Sequence, residues 1–117
     1  MQVKPLSKNF LIYQGSTFIV NFNWNVGSYP LTENCIVDME FRSTIESEES
    51  LLYASTSNNM IRLFPDIGKI ELKIPANVTA RMTFVKAVYD IELEFENGDR
   101  FRIVQGNVTI NPEVTRV

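Results

Sequence analysis

The chain has no histidine and only one cysteine, Cys35, among its 117 residues. Without histidine the commonest general base and metal ligand is missing, and Ser-His-Asp and Cys-His arrangements are excluded. One thiol cannot form a disulfide within the chain, and its place among alternating apolar residues assigns Cys35 to a buried core rather than to nucleophilic work. A lone thiol is compatible with assembly in the cytoplasm. Glycine and proline number five each, so no linker-like stretch divides the sequence, and 117 residues suit one domain. No apolar run reaches the roughly 18 residues of a membrane helix. Lys4 and Lys8 are not followed by the uninterrupted apolar stretch of an export signal, so a soluble chain without one is expected. The net charge of -3 and the eleven scattered Lys and Arg residues supply no basic stripe for nucleic acid. Helical periodicity longer than a turn or two is absent as well.

What the chain has instead is alternation, rich in β-forming bulk from eight Phe, four Tyr and one Trp. Phe18, Val20, Phe22 and Trp24 alternate with Thr17, Ile19, Asn21 and Asn23; Cys35, Val37, Met39 and Phe41 alternate with Ile36, Asp38, Glu40 and Arg42. Both patterns describe strands with one buried face. Shorter strands are expected at Phe10–Tyr13, Leu51–Ser55, Met60–Phe64 and Lys69–Ile74, the last ended by Pro75. Ser43 to Ser50 reads as a solvated, mobile loop, and Asn77 as the cap of a single helical turn within Asn77–Met82.

The last quarter specifies a hairpin. Tyr89, Ile91, Leu93 and Phe95 alternate with Asp90, Glu92 and Glu94 before Glu96-Asn97-Gly98. A three-residue loop with Gly98 in the left-handed conformation sets Leu93 opposite Phe101, Ile91 opposite Ile103, Glu94 opposite Arg100 and Glu92 opposite Arg102. A two-residue Asn97-Gly98 loop sets apolar against charged groups, because a one-residue slip inverts every side chain. A bulge is expected at Gly106, since parity must switch for Val108 and Ile110 to be buried with Phe101 and Ile103. The fold class expected is all-β, a single antiparallel immunoglobulin-like sandwich of about seven to eight strands spanning residues 10–111. An extended N-terminal arm, residues 1–9, lies off its own domain, and an extended C-terminal tail, residues 112–117, follows the sandwich.

The chemistry carried by these residues is sparse. Glu46, Glu48, Glu49 and Asp38 lack the spacing of a calcium loop and read as solvated charge. Asp90, Glu92 and Glu94 share a strand face, but the hairpin gives Glu92 and Glu94 arginine partners, which removes them from paired acid-base work. The Asn77-Val78-Thr79 and Asn107-Val108-Thr109 sequons read as chance matches. Among aromatic groups, Trp24 belongs with the core, while Tyr29 beside Pro30 is the aromatic left open to contact a sugar or a protein. A non-enzymatic binding or structural role follows, with no cofactor and no metal.

Lys4-Pro5-Leu6-Ser7-Lys8-Asn9-Phe10 and Ile12-Tyr13-Gln14-Gly15-Ser16-Thr17-Phe18 resemble the opening of small structural proteins encoded among the tail and baseplate genes of tailed bacteriophages. Gly68-Lys69-Ile70-Glu71-Leu72, Val88 to Leu93, and Gly106 to Arg116 are similar to the remainder of such proteins, whereas the acidic Glu46 to Ser50 segment departs from them. The resemblance implies a virion component assembled in the bacterial cytoplasm, present in several copies, that joins tail, baseplate or fibre proteins without a cofactor. The expected partner-binding residues are Lys4, Pro5, Leu6 and Phe10 at one end, Tyr29 in its loop, and Pro112, Val114 and Arg116 at the other end. The alternative is a carbohydrate-binding module for host-surface attachment, with Tyr29 and Tyr13 as its stacking residues.

Overall fold

Alternation becomes nine strands among residues 2–115, which the computed structural model describes: β1 (Leu6–Ser7), β2 (Phe10–Tyr13), β3 (Phe18–Asn23), β4 (Ile36–Arg42), β5 (Leu52–Ser55), β6 (Ile61–Phe64), β7 (Lys69–Ile74), β8 (Lys86–Glu94) and β9 (Arg100–Asn111). They form an all-β fold of two sheets, one ordered β1-β9-β8-β4-β5 with β2 also on β9, the other β3-β7-β6. Val37, Met39 and Phe41 of β4, Ile91 and Leu93 of β8, and Ile70, Leu72 and Ile74 of β7 are almost wholly buried in one core. Full burial of such a side chain contributes roughly 1.5–3 kcal/mol. Cys35 and Trp24 join this core.

The β8–β9 hairpin has the three-residue loop that face matching requires. The Phe95 N–H donates to the Asp99 carbonyl at 2.8 Å, and Gly98 adopts φ +90°. Leu93 faces Phe101, Glu94 faces Arg100 and Glu92 faces Arg102. Beyond them the expected Ile91–Ile103 pairing is replaced by Ile91–Val104, because the bulge falls at Ile103. Ile103 and Val104 are consecutive yet both buried, and the extra residue switches parity so that Val108 and Ile110 also point inward. The parity switch is the expected one, but its position moves from Gly106 to Ile103.

Gly106 has another reason to be glycine. It pairs with Tyr89, and a Cβ there would lie 2.0 Å from the Lys8 carbonyl oxygen. That carbonyl occupies the space the missing side chain leaves and accepts the Tyr89 hydroxyl at 2.6 Å. Since the Lys8 N–H donates to the Gln105 carbonyl, an unbroken parallel ladder would aim the Lys8 carbonyl at the Asn107 N–H. Asn9 takes its place there, its Oδ1 accepting from Asn107 N–H at 3.1 Å. Tyr89 is buried and stacks on Phe10 at a centroid distance of 4.2 Å; burial pushes its phenol well above the ordinary value.

This seam corrects two expectations. The first sheet is not purely antiparallel: β1 and β2 both run parallel to β9, because the Gln14–Thr17 turn carries the chain from β2 into the other sheet instead of back along β9. Nor does the arm stand off its own domain, since Leu6 and Ser7 pair with Val104 and Gln105 and Val3 packs against the core. A third correction concerns α1 (Ala76–Thr79), whose preceding residue is Pro75 rather than a capping Asn77. Thr79 is buried, its hydroxyl accepting from Gly15 N–H at 3.0 Å and lying 2.8 Å from the Ser16 carbonyl, which ties this crossover to the β2–β3 turn.

Gly106→Ala is expected to lift the arm, because a backbone carbonyl cannot yield as a flexible side chain can. The cost is about 1–3 kcal/mol, read as a lower Tm, with faster hydrogen exchange at Lys8 and Asn107 while the Leu93–Phe101 end of the hairpin stays protected. Tyr89→Phe, which removes one hydrogen bond and no bulk, should cost about 1 kcal/mol. An unchanged Tm in both variants would show that the arm is not held this way.

Candidate functional site

Inward positions of β4, β8 and β9 are apolar and most outward ones charged or polar, and strand pairing brings the charges together. Asp38 stands opposite Glu92 and Glu40 opposite Asp90, so carboxylates face carboxylates across the β4–β8 ladder. Like charges so placed repel. Arg100 relieves the first pair from β9, with guanidinium nitrogens 3.0 Å from Asp38, 2.6 Å from Glu92 and 3.4 Å from Glu94. Partial burial alone would lower the Arg100 pKa; hydrogen bonds to Glu92 and Asp38 outweigh it and hold the group above its ordinary value. Arg102 lies 3.4 Å from Asp90, and Arg42 3.0 Å from Glu40. All of these except Glu94 line an open groove of about 620 Å³, flanked by Ser7, Asn9 and the exposed Ile45.

The expected Glu94–Arg100 ion pair is present, but Glu92 bonds to Arg100 and not to the Arg102 it faces. Arg100 is long enough to reach diagonally across the sheet, and Asp38 beside Glu92 adds a second carboxylate in that direction. Each exposed pair contributes only about 0–1 kcal/mol, so the network fixes side-chain positions more than it stabilises the fold. Chemically, the face offers facing carboxylates, each within ion-pair distance of a guanidinium. No group of three or more potential metal ligands occurs among the described residues.

At the hairpin end lies an aromatic cluster. Tyr29 packs 4.9 Å from Phe95 and 5.0 Å from Phe101, Trp24 lies 6.1 and 6.3 Å from the same two rings, and the Trp24 indole donates to the Tyr29 carbonyl at 2.7 Å. The Tyr29 hydroxyl donates to Asp99, a bond that raises its pKa. Tyr29 is thus committed to holding its loop on the hairpin. Tyr13 and Tyr53 are about half exposed but sit on β2 and β5, at opposite margins of the first sheet, and form no row with it.

The proposed contact residues are not one patch. Lys4, Pro5 and Leu6 border a cleft of about 780 Å³ shared with Asn21–Trp24 and Val104. Phe10 is 3 % exposed, a core residue packed on Phe18, Phe22 and Tyr89, and presents nothing to a partner in this fold. Pro112 and Val114 are exposed beyond the far end of β9, where the Glu113 N–H donates to Gln14 Oε1 at 3.0 Å. Arg116 lies outside the described residues. The Asp38–Arg100 contact, spanning 62 positions, went unforeseen; β4 alternation exposed Asp38, but only strand order could set it near Arg100. No protein-family model and no curated protein matches the chain.

Asp90 pairs with Arg102 yet lies close to two further carboxylates, Glu40 and Glu92. Desolvation raises its pKa, Glu92 and Glu40 add to the shift, and Arg102 and Arg100 only partly oppose it. A raised folded-state pKa means that ionised Asp90 disfavours the fold; the cost is present at neutral pH and vanishes as pH falls below the ordinary aspartate value. Asp90→Asn should therefore raise stability at pH 7 by up to about 1 kcal/mol, the exposed-pair scale. The difference from the parent should close near about pH 3. Denaturation midpoints across pH check this, and a less stable variant at pH 7 would contradict it.

Proposed function

We propose that the chain is a non-enzymatic structural component of a tailed-bacteriophage virion that joins tail, baseplate or fibre proteins through protein-protein contacts. The observation supporting this reading is that β3, β5 and β6 lie at sheet margins, each with one side of its main chain without a partner strand among the described residues. Parallel pairing of β1 with Val104 and Gln105 starts the arm at the hairpin end of β9, whereas the tail leaves beyond Asn111 at the other end. The arm, bound along β9, and the exposed residues beyond Asn111 thus lie toward opposite ends of that strand, in a molecule with extents of 47 × 30 × 21 Å. The sheet margins at β3, β5 and β6, with the exposed residues that follow β9, suit pairing with the main chain of neighbouring proteins.

Within the same proposal the fold is an immunoglobulin-like sandwich. The order β9-β8-β4-β5 over β3-β7-β6 corresponds to strands G-F-C-C′ over B-E-D of that architecture. The single cysteine departs from the disulfide-bearing form, and Trp24 follows β3 where a strand-C tryptophan would be expected.

Removal of residues 112–117 should leave Tm within about 2 °C, because few folded contacts are lost, while abolishing incorporation of the chain into particles. Mass spectrometry of purified particles would read incorporation. Full incorporation of the truncated chain would remove the tail from the interface, and absence of the parent chain from particles would overturn the virion role. Binding of the isolated chain to a glycan array would favour the carbohydrate-binding alternative.

A further inference from the structure

The two outward sheet faces carry opposite excesses of charge. On the β3-β7-β6 sheet the strands hold Arg62, Lys69 and Lys73 against Glu71 alone. Among the described residues none of these three cations is in an ion pair; Lys69 instead lies 4.3 Å over the Phe64 ring, with Arg62 5.8 Å from the same ring. On the larger sheet, Asp38, Glu40, Asp90, Glu92 and Glu94 face outward against Arg42, Arg100 and Arg102, with Lys86 at the far end of β8. Arg100 alone is divided among three carboxylates, so the centre of that face keeps an acidic excess.

The spacings agree as well. Lys69 and Lys73 stand four residues apart on one strand, about 13 Å, and so do Asp90 and Glu94. Apolar groups flank both faces: Ile19 stands opposite Lys73 on one sheet, and Tyr53 opposite Glu40, which itself faces Asp90, on the other.

We infer that a second copy of this chain docks by its basic β3-β7-β6 face onto the acidic groove of the β4-β8-β9 face. The contact joins two different surfaces, so each copy still offers one free face of either sign and the association propagates head to tail. This deepens the structural-role reading and rests on it, since a contact between like copies would array a component present in several copies. Exposed charges set the encounter and the register but are screened within about 10 Å at ordinary ionic strength, so association should be weak, concentration-dependent and salt-sensitive.

Sedimentation velocity of the full chain over a concentration series tests the inference. Association is expected at about 20 mM salt and its loss at about 500 mM. Lys69→Glu with Lys73→Glu should be monomeric at low salt, as should Asp90→Lys with Glu40→Lys, each with the parent far-ultraviolet spectrum. Mixing the two variants in equal amounts should restore association, because each then supplies the face the other has lost. A parent chain that stays monomeric at low salt overturns the inference, as does association indifferent to salt or to both pairs of substitutions. If the parent is monomeric in solution yet present in purified particles, the docking of copies fails while the virion role stands.

Discussion

The carbonyl of Lys8 has two directions to choose from, and the choice organises one margin of the molecule. In a continuous parallel ladder it would accept from Asn107 N–H; here it points inward, into the volume left by the missing side chain of Gly106, and accepts the Tyr89 hydroxyl. Three consequences follow from that rotation. The ladder between β1 and β2 is interrupted, Asn9 must supply the acceptor that Lys8 withdrew, and the buried phenol of Tyr89 has a partner. A buried hydroxyl without one would cost about 1–3 kcal/mol, so the arm and the core satisfy each other. Because β1 and β2 lie along β9 in the same direction, the same seam fixes the course of residues 6–13 along the sheet.

The bulge at Ile103 is the second determinant, and it links the core to the charged face. Ahead of it, Arg100 and Arg102 point outward beside Glu94 and Glu92; behind it, Gln105 and Asn107 hold the outward positions while Val104 and Val108 fill the core. Without the inserted residue Asp90 would face Val104; with it Asp90 faces Gln105, so the polar rows of β8 and β9 stay on one side of the sheet beyond the bulge.

Much of this was legible in the alternation. The β4 and β8 faces, the three-residue loop at Glu96–Gly98 and the burial of Cys35 and Trp24 all follow from period-2 patterning, because a half-buried strand permits no other assignment of its apolar residues. The seam was not legible. A glycine at position 106 is compatible with a bulge or with a close approach, and only the strand order places Lys8, a hundred residues earlier, above it. The misassigned role of Phe10 has the same origin: taken with the polar arm it looks accessible, but pairing Phe10 with Val108 turns its ring onto Tyr89. The ion pairs failed at the diagonal, since register fixes which residues face one another and side-chain length decides which ones meet.

The account turns on the arm being bound by its own domain. Isotope-filtered nuclear Overhauser spectroscopy on an equal mixture of labelled and unlabelled chain separates contacts within a molecule from contacts between molecules. It should show the Tyr89 ring close to Lys8 and Asn9 of the same chain, at a concentration where the protein is monomeric. Contacts between Tyr89 and the arm that appear only between molecules, or narrow arm signals with no contact to Tyr89, would contradict it.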